Sequence, residues 1–196
     1  LGPALLALAA GRPCLVEKPF ALDADEARRI ADTARRGSTF CMEAMWTRFL
    51  PALEEVKRII ASGEIGAPVQ VTADFGFAAD VDPDHRLVNP ELGGGALLDL
   101  GIYPLSIAAS LLGPVKSVRA QAELGATGVD VQTGFVMLHE GGAMSVCSCS
   151  IRARTPAELT VSGEHGHVRM NTMFHRAKTI SVSHVDGSSR TVPTPY

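Results

Sequence analysis

Gly93-Gly94-Gly95-Ala96-Leu97-Leu98-Asp99-Leu100-Gly101-Ile102-Tyr103 is the segment on which the reading of the whole chain turns. Three successive glycines allow close backbone approach and dihedrals closed to residues that carry a Cβ. The pattern after them predicts an apolar helix ending near Leu112-Gly113. Within that helix stand one acid and one phenol. Asp99 and Tyr103 are four apart, a spacing that puts both on one helical face with Cβ atoms about 5–6 Å apart. Their neighbours Leu97, Leu98, Leu100, Ile102, Leu105, Ile107, Leu111 and Leu112 are apolar, so the helix is expected to be buried on most sides. A carboxylate and a phenol in such surroundings need partners. Read by itself, the segment fits equally a core helix with two hydrogen-bonded polar residues and a helix that brings chemistry to a cleft.

Upstream, Pro3–Ala10 reads as an alanine-rich helix closed by Gly11, and Cys14–Glu17 as a short strand buried on both faces. Asp23 and Glu26 form a capping signature for a helix running to Gly37, and Thr39–Glu43 is a second short strand. Helix, strand, helix, strand with short connections is the pattern of a doubly wound α/β domain with a parallel sheet. Ligands of such sheets bind beyond the carboxyl ends of the strands. Lys18, between Glu17 and Pro19, falls at that edge, and the Lys18–Pro19 bond is one that can be cis.

Trp46-Thr47-Arg48-Phe49-Leu50-Pro51 leads out of this region, and Pro51 opens a helix that closes at Ser62-Gly63. From Pro68 the pattern changes. A strand over 69–77 precedes a polar loop, Ala78–Glu91, that carries His85-Arg86. After the central helix, strands are expected over 115–122, 131–138, 143–151, 158–162, 167–170, 179–185 and 190–192. Glu140-Gly141-Gly142 and Asp186-Gly187 supply hairpin turns. The expected fold is therefore the α/β tail of a Rossmann domain, residues 1–47, followed by an α+β domain, residues 48–196, built on a mostly antiparallel open sheet.

Composition narrows the function classes. The 196 residues carry a net charge of -3 with acids and bases interspersed, which points away from nucleic acid and anionic membranes. Gly94–Gly113 comes nearest to a membrane span, but Asp99, Tyr103 and Pro104 argue for a protein interior. Cys14, Cys41, Cys147 and Cys149 do not form a disulfide framework at this length and fit a cytoplasmic protein. His85, His139, His165, His167, His175 and His184 show no metal-binding spacing, so no metal is expected. Arg86 is a candidate contact for a substrate hydroxyl or carboxylate, with a solvated loop arginine as the alternative.

Three ordered motifs then combine: Glu17-Lys18-Pro19, the run from Glu43 to Pro51 (EAMWTRFLP), and the run from Gly93 to Leu105 (GGGALLDLGIYPL). Together they resemble the glucose–fructose oxidoreductase / inositol dehydrogenase (Gfo/Idh/MocA) family, closest to its dihydrodiol dehydrogenase and sugar dehydrogenase branch. The resemblance covers the whole chain. It implies an NAD(P)-dependent oxidoreductase moving a hydride to or from a sugar, polyol or diol. Lys18, Tyr103 and Asp99 would be catalytic, with Tyr103 as proton donor. Glu17, Lys18, Pro19, Trp46 and Arg48 would border NAD or NADP, and Arg86, Asp99 and Tyr103 the substrate. It also implies a homodimer joined through the open sheet.

The family's G-x-G-x-x-G loop occurs nowhere in this sequence, so the pyrophosphate of a dinucleotide has no glycine-rich helix start to sit on. The reading is thus of a fragment without the N-terminal dinucleotide-binding half, binding NAD(H) poorly by itself, with the activity belonging to the intact protein. Two alternatives stand beside it: a catalytically silent dimerisation module, and a nicotinamide-dependent glycosidase.

Overall fold

The structure, a computed structural model, describes residues 1–195 and comprises two compact units, Leu1–Met45 and the chain from Trp46 onward. In the first, α1 (Gly2–Ala9) leads to β1 (Cys14–Val16), α2 (Ala24–Arg36) and β2 (Cys41–Glu43). The two strands pair in parallel with Cys14 opposite Cys41 and Val16 opposite Glu43. Asp23 caps α2 by accepting from the Glu26 amide at 2.8 Å, and Glu26 accepts in turn from the Leu22 amide. Leu8, Ile30 and Ala34 form the buried centre of this unit, closed by Leu5, Cys14, Phe20 and Cys41. The helix–strand–helix–strand order and the parallel pairing are those expected, but the first strand is one residue and the second two residues shorter, and Leu15 is exposed where burial on both faces is expected.

The second unit starts with a 3-10 turn (Trp46–Phe49) and α3 (Pro51–Ala61), whose Ala52, Leu53, Val56 and Ile59 are buried at helical spacing. Eight strands follow: β3 (Pro68–Gly76), β4 (Val115–Leu124), β5 (Asp130–His139), β6 (Met144–Ser150), β7 (Leu159–Gly163), β8 (Gly166–Met170), β9 (Thr179–His184) and β10 (Ser189–Pro193). They make one sheet in the order β10-β9-β8-β7-β3-β6-β5-β4. Every pairing is antiparallel except β3 with β6, which run parallel at the centre. The hairpins at Glu140-Gly141-Gly142 and Asp186-Gly187 join β5 to β6 and β9 to β10.

The central helix covers one face of this sheet. It begins with a π-helical turn, Leu97–Gly101, and continues as α4 (Ile102–Leu112) to Gly113 at φ 83°. Pro90–Leu112 is long and apolar enough to cross a membrane by length and composition, but more than half of its apolar stretch is buried inside the fold. It is the core helix of the second unit. Ala96 and Leu100 pack with Cys149 and Ile151 of the sheet, and Ile107 and Ala108 are fully buried further along.

The wide first turn departs from the plain α-helix that the apolar pattern predicts, and its neighbours supply the reason. A Cβ on Gly101 would lie 2.9 Å from the Cys149 sulfur, so only glycine lets the helix approach β6 this closely. At the start of the helix, Asp130 of β5 accepts from the Leu97 amide at 2.8 Å, capping it from across the sheet. The same carboxylate occupies the space a Cβ on Gly95 would need, 2.3 Å away, where φ is +119°. The glycine run thus allows contact with the chain's own Asp130 and with the loop at Asn89.

Candidate active site

Tyr103 lies in the first turn of α4 and is 8% exposed. Its Oη accepts a hydrogen bond from Trp46 Nε1 at 3.2 Å, so the 3-10 turn that opens the second unit is tied to the central helix. Around the phenol ring stand Trp46, Phe75 and His175, with centroids 6.1, 5.4 and 6.3 Å away. Edge-to-face packing of this kind suits the quadrupoles of the rings and holds them in place. Arg48, two residues after Trp46, donates from Nε to Ser106 Oγ at 2.9 Å and from a second nitrogen to the Ser106 carbonyl. It therefore clamps the same turn to the next turn of α4.

Asp99 sits in the π-helical turn, its side chain 13% exposed, and accepts from Arg86 at 3.1 Å. Arg86 is accordingly an ion-pair partner of the acid. Its loop is fixed to the glycines behind it by bonds from the Gly94 amide to the Asn89 carbonyl and from the Gly95 amide to the Leu87 carbonyl. Asp99 and Tyr103 thus each have a partner of the kind their surroundings demand, a charged group for the first and an indole N–H for the second.

In the first unit, Lys18 follows β1 at its carboxyl end, and the Lys18–Pro19 bond is cis. The Lys18 amide donates to Glu17 Oε1 at 3.1 Å, and Glu43 at the end of β2 accepts from the Phe20 amide at 3.0 Å. The strand-end position that receives ligands in parallel sheets is therefore occupied by Glu17, Lys18 and Pro19.

His175 is the residue that sequence spacing passes over. It is stacked on Phe75 with centroids 4.4 Å apart and packs edge-on to Trp46 and Phe174. Burial, with a further push from Arg176, lowers its pKa from 6.5 to about 4, so the ring is neutral at physiological pH. Its Nε2 accepts from Arg176 Nε at 3.2 Å, which leaves the proton on Nδ1. His139, by contrast, is a satisfied core residue whose ring nitrogens bond the Gly113 carbonyl and Ser145 Oγ. Among the described residues no group of three His, Cys, Asp or Glu side chains is arranged to hold a metal ion.

The arrangement offers a buried phenol in an aromatic setting, with an ion-paired carboxylate one helical turn earlier. The GFO/IDH/MocA C-terminal domain family matches residues 53–169. Over 97% of its length the chain is 31% identical to the D-xylose 1-dehydrogenase (NADP(+)) of Hypocrea jecorina and covers 55% of that protein. It is 33% identical to the trans-1,2-dihydrobenzene-1,2-diol dehydrogenase of Mus musculus, again over 97% of the chain and 56% of the relative. An NAD binding oxidoreductase from Klebsiella pneumoniae superposes with a TM-score of 0.87 at 29% identity, covering 97% of this chain and 57% of that one. The chain therefore spans about half the length of the curated relatives it matches. The sheet with its central helix, the motifs that run through it and these likenesses agree: the chain belongs to the GFO/IDH/MocA family and carries that family's C-terminal domain.

Proposed function

We propose that this chain forms part of an NAD(P)-dependent oxidoreductase acting on a sugar, polyol or diol, with Tyr103 as the group that exchanges a proton with the substrate oxygen. The observation that carries the reading is the Trp46–Tyr103 hydrogen bond, which fixes a phenol inside the aromatic cluster. A carbonyl that accepts hydride gains negative charge on oxygen, and a positioned phenol supplies the proton there by general acid catalysis. Lys18, at the carboxyl end of its strand, would stabilise that charge electrostatically. Asp99, held by Arg86, would orient the substrate hydroxyls. Residues 1–47 are assigned to the end of the dinucleotide-binding domain and 48–196 to the substrate domain.

NAD or NADP supplies the hydride chemistry when bound. Glu17, Lys18, Pro19 and Trp46 would border its nicotinamide end. Arg48 would act by fixing the Trp46 turn to Ser106. The residues present suit that end alone, because the glycine fingerprint for the pyrophosphate is not among them. Four free cysteines support a reducing compartment such as the cytoplasm.

The outer face of the sheet carries Val136 directly opposite Val146, and Met144 opposite Leu138, with Val136, Met144 and Val146 exposed. This apolar stripe suits a second copy of the chain and supports a homodimer. Sedimentation at micromolar concentration tests it, with a monomer as the contrary result.

The activity is tested by supplying the complete gene product with NAD or NADP and a panel of aldoses, polyols and trans-diols, following nicotinamide reduction. Turnover with at least one class is expected. Absence of nicotinamide reduction alongside hydrolysis of a glycoside would favour the glycosidase reading instead.

A further inference from the structure

A cavity of about 530 Å³ opens beside the aromatic cluster. Phe75 and His175, both in ring contact with Tyr103, line it, and Tyr103 itself lies behind them. Arg154, Thr155, Thr172 and Arg176 supply the rest of its polar lining, and the remaining lining residues are apolar or glycine. No lining residue is acidic.

Its charge sets the cavity apart. Three other arginines of the second unit are paired with carboxylates, Arg152 with Glu123, Arg169 with Glu158 and Arg190 with Glu64, while Arg119 on β4 bonds the Val118 carbonyl instead. Arg154 and Arg176 have no carboxylate partner among the described residues. Two lining residues carry enclosed polar atoms, His175 Nδ1 and Thr155 Oγ1, that have no hydrogen-bond partner among the described residues, as do Thr47 Oγ1 and Thr194 Oγ1 elsewhere. A buried donor without an acceptor is costly, and native folds rarely leave one without a reason.

The backbone around the cavity is unusual as well. Ala157 and Met173, both lining residues, have φ of 54° and 64°, a region in which side-chain-bearing residues are uncommon. Asp74 holds the first of these by accepting from the Ala157 amide at 2.7 Å. Strained conformations held in this way concentrate at ligand sites.

We propose that this cavity receives the anionic oxygen group, carboxylate or phosphate, of a sugar-like substrate whose reacting carbon lies toward Tyr103. Guanidinium forks match the geometry of both anions and bind them by charge-assisted hydrogen bonds. The rings of Phe75 and His175 present apolar surface to the C–H faces of a sugar. The volume falls within the range of small-molecule sites, roughly 300–1,000 Å³. The substrate is then an acidic or phosphorylated sugar in preference to a neutral one. Calling the ligand a substrate rests on the proton-donor reading of Tyr103, whereas anion binding stands on the cavity alone.

The test uses the 196-residue chain and calorimetric titration with glucuronate, glucose 6-phosphate and glucose. The His175 imidazole resonances serve as the local reporter. At least one anion is expected to bind roughly tenfold more tightly than glucose and to shift those resonances. Arg154→Ala and Arg176→Ala should each weaken that binding roughly tenfold. Arg154→Ala removes an exposed side chain and should leave the unfolding temperature unaltered, whereas Arg176→Ala also removes the donor to His175 Nε2 and should lower it. The tighter of the two anions distinguishes a carboxylate ligand from a phosphate. Glucose binding as well as both anions would overturn the proposal. So would the absence of binding by either anion at millimolar concentration, or affinities unchanged in both variants. No nicotinamide enters this experiment, so its failure would leave the hydride-transfer reading standing.

Discussion

The indole nitrogen of Trp46 donates to the phenol oxygen of Tyr103 at 3.2 Å, joining residues 57 apart in sequence. The link makes Trp46 a positioning residue for the proposed proton donor, since it fixes the rotation of the phenol group. Replacing Trp46 with Phe keeps an aromatic ring and removes the donor. Thermal unfolding of the chain should show a loss of about 1 kcal/mol, the net value of one neutral hydrogen bond. Turnover in the complete gene product should fall more than stability does. Equal activity would remove the positioning role.

The cap on the central helix comes from a strand and not from the residue before it. Asp130 accepts from the Leu97 amide and also from Thr133 Oγ1, at 2.8 and 2.6 Å. Asp130→Ala leaves that helix start without its acceptor and should cost about 1–2 kcal/mol by denaturant titration. Thr133→Val should cost less, because it leaves the bond to Leu97 intact.

Gly101 and Cys149 form a tight pair at the π-helical turn. Gly101→Ala would bring a methyl group to 2.9 Å from the sulfur and should destabilise the second unit by about 1–3 kcal/mol. Removing the sulfur as well, with Cys149→Ala, relieves that contact. The double variant should therefore be less destabilised than the sum of the two single ones. Strict additivity would show that the sulfur does not limit the approach.

Stability should depend on pH through His175. Folding lowers its pKa from 6.5 to about 4, chiefly by burial and secondarily by Arg176. Between those values the unfolded chain takes up a proton that the folded one refuses, so stability falls as pH drops from 6.5 toward 4. Above 6.5 this group contributes no slope. The loss across the window is at most about 3 kcal/mol. Unfolding free energies measured across it should be flatter for His175→Gln, and an unchanged slope would assign the dependence to other groups.

The relation of sequence to structure is clearest at these positions. Strand alternation and glycine turns are local signals, and the hairpins at Glu140-Gly141-Gly142 and Asp186-Gly187 follow from them. The parallel pairing of β3 with β6 is a long-range choice that neither strand's own pattern encodes. The π-helical turn has the same origin, since its shape depends on Cys149 and Asp130, both remote in the chain. Trp46, Asp99 and Tyr103 stand out in the sequence because motifs carry them, whereas Arg86 lies on a loop outside those motifs and its pairing with Asp99 is a finding of the fold. His175 does not stand out, because its stacking on Phe75 arises only when β3 and the turn after β8 fold together. The one local hint is its place in Phe174-His175-Arg176, an aromatic and a cation flanking an imidazole just beyond a strand.

The central claim is that the Tyr103 hydroxyl exchanges a proton with the substrate oxygen during hydride transfer. Single-turnover nicotinamide reduction in the complete gene product, comparing the native protein with Tyr103→Phe, tests it most directly. Loss of a general acid–base group costs typically about 10²–10⁴-fold, so the rate should fall by at least roughly tenfold, with nicotinamide affinity unchanged. Equal rates for the two proteins, at equal cofactor occupancy, would contradict it.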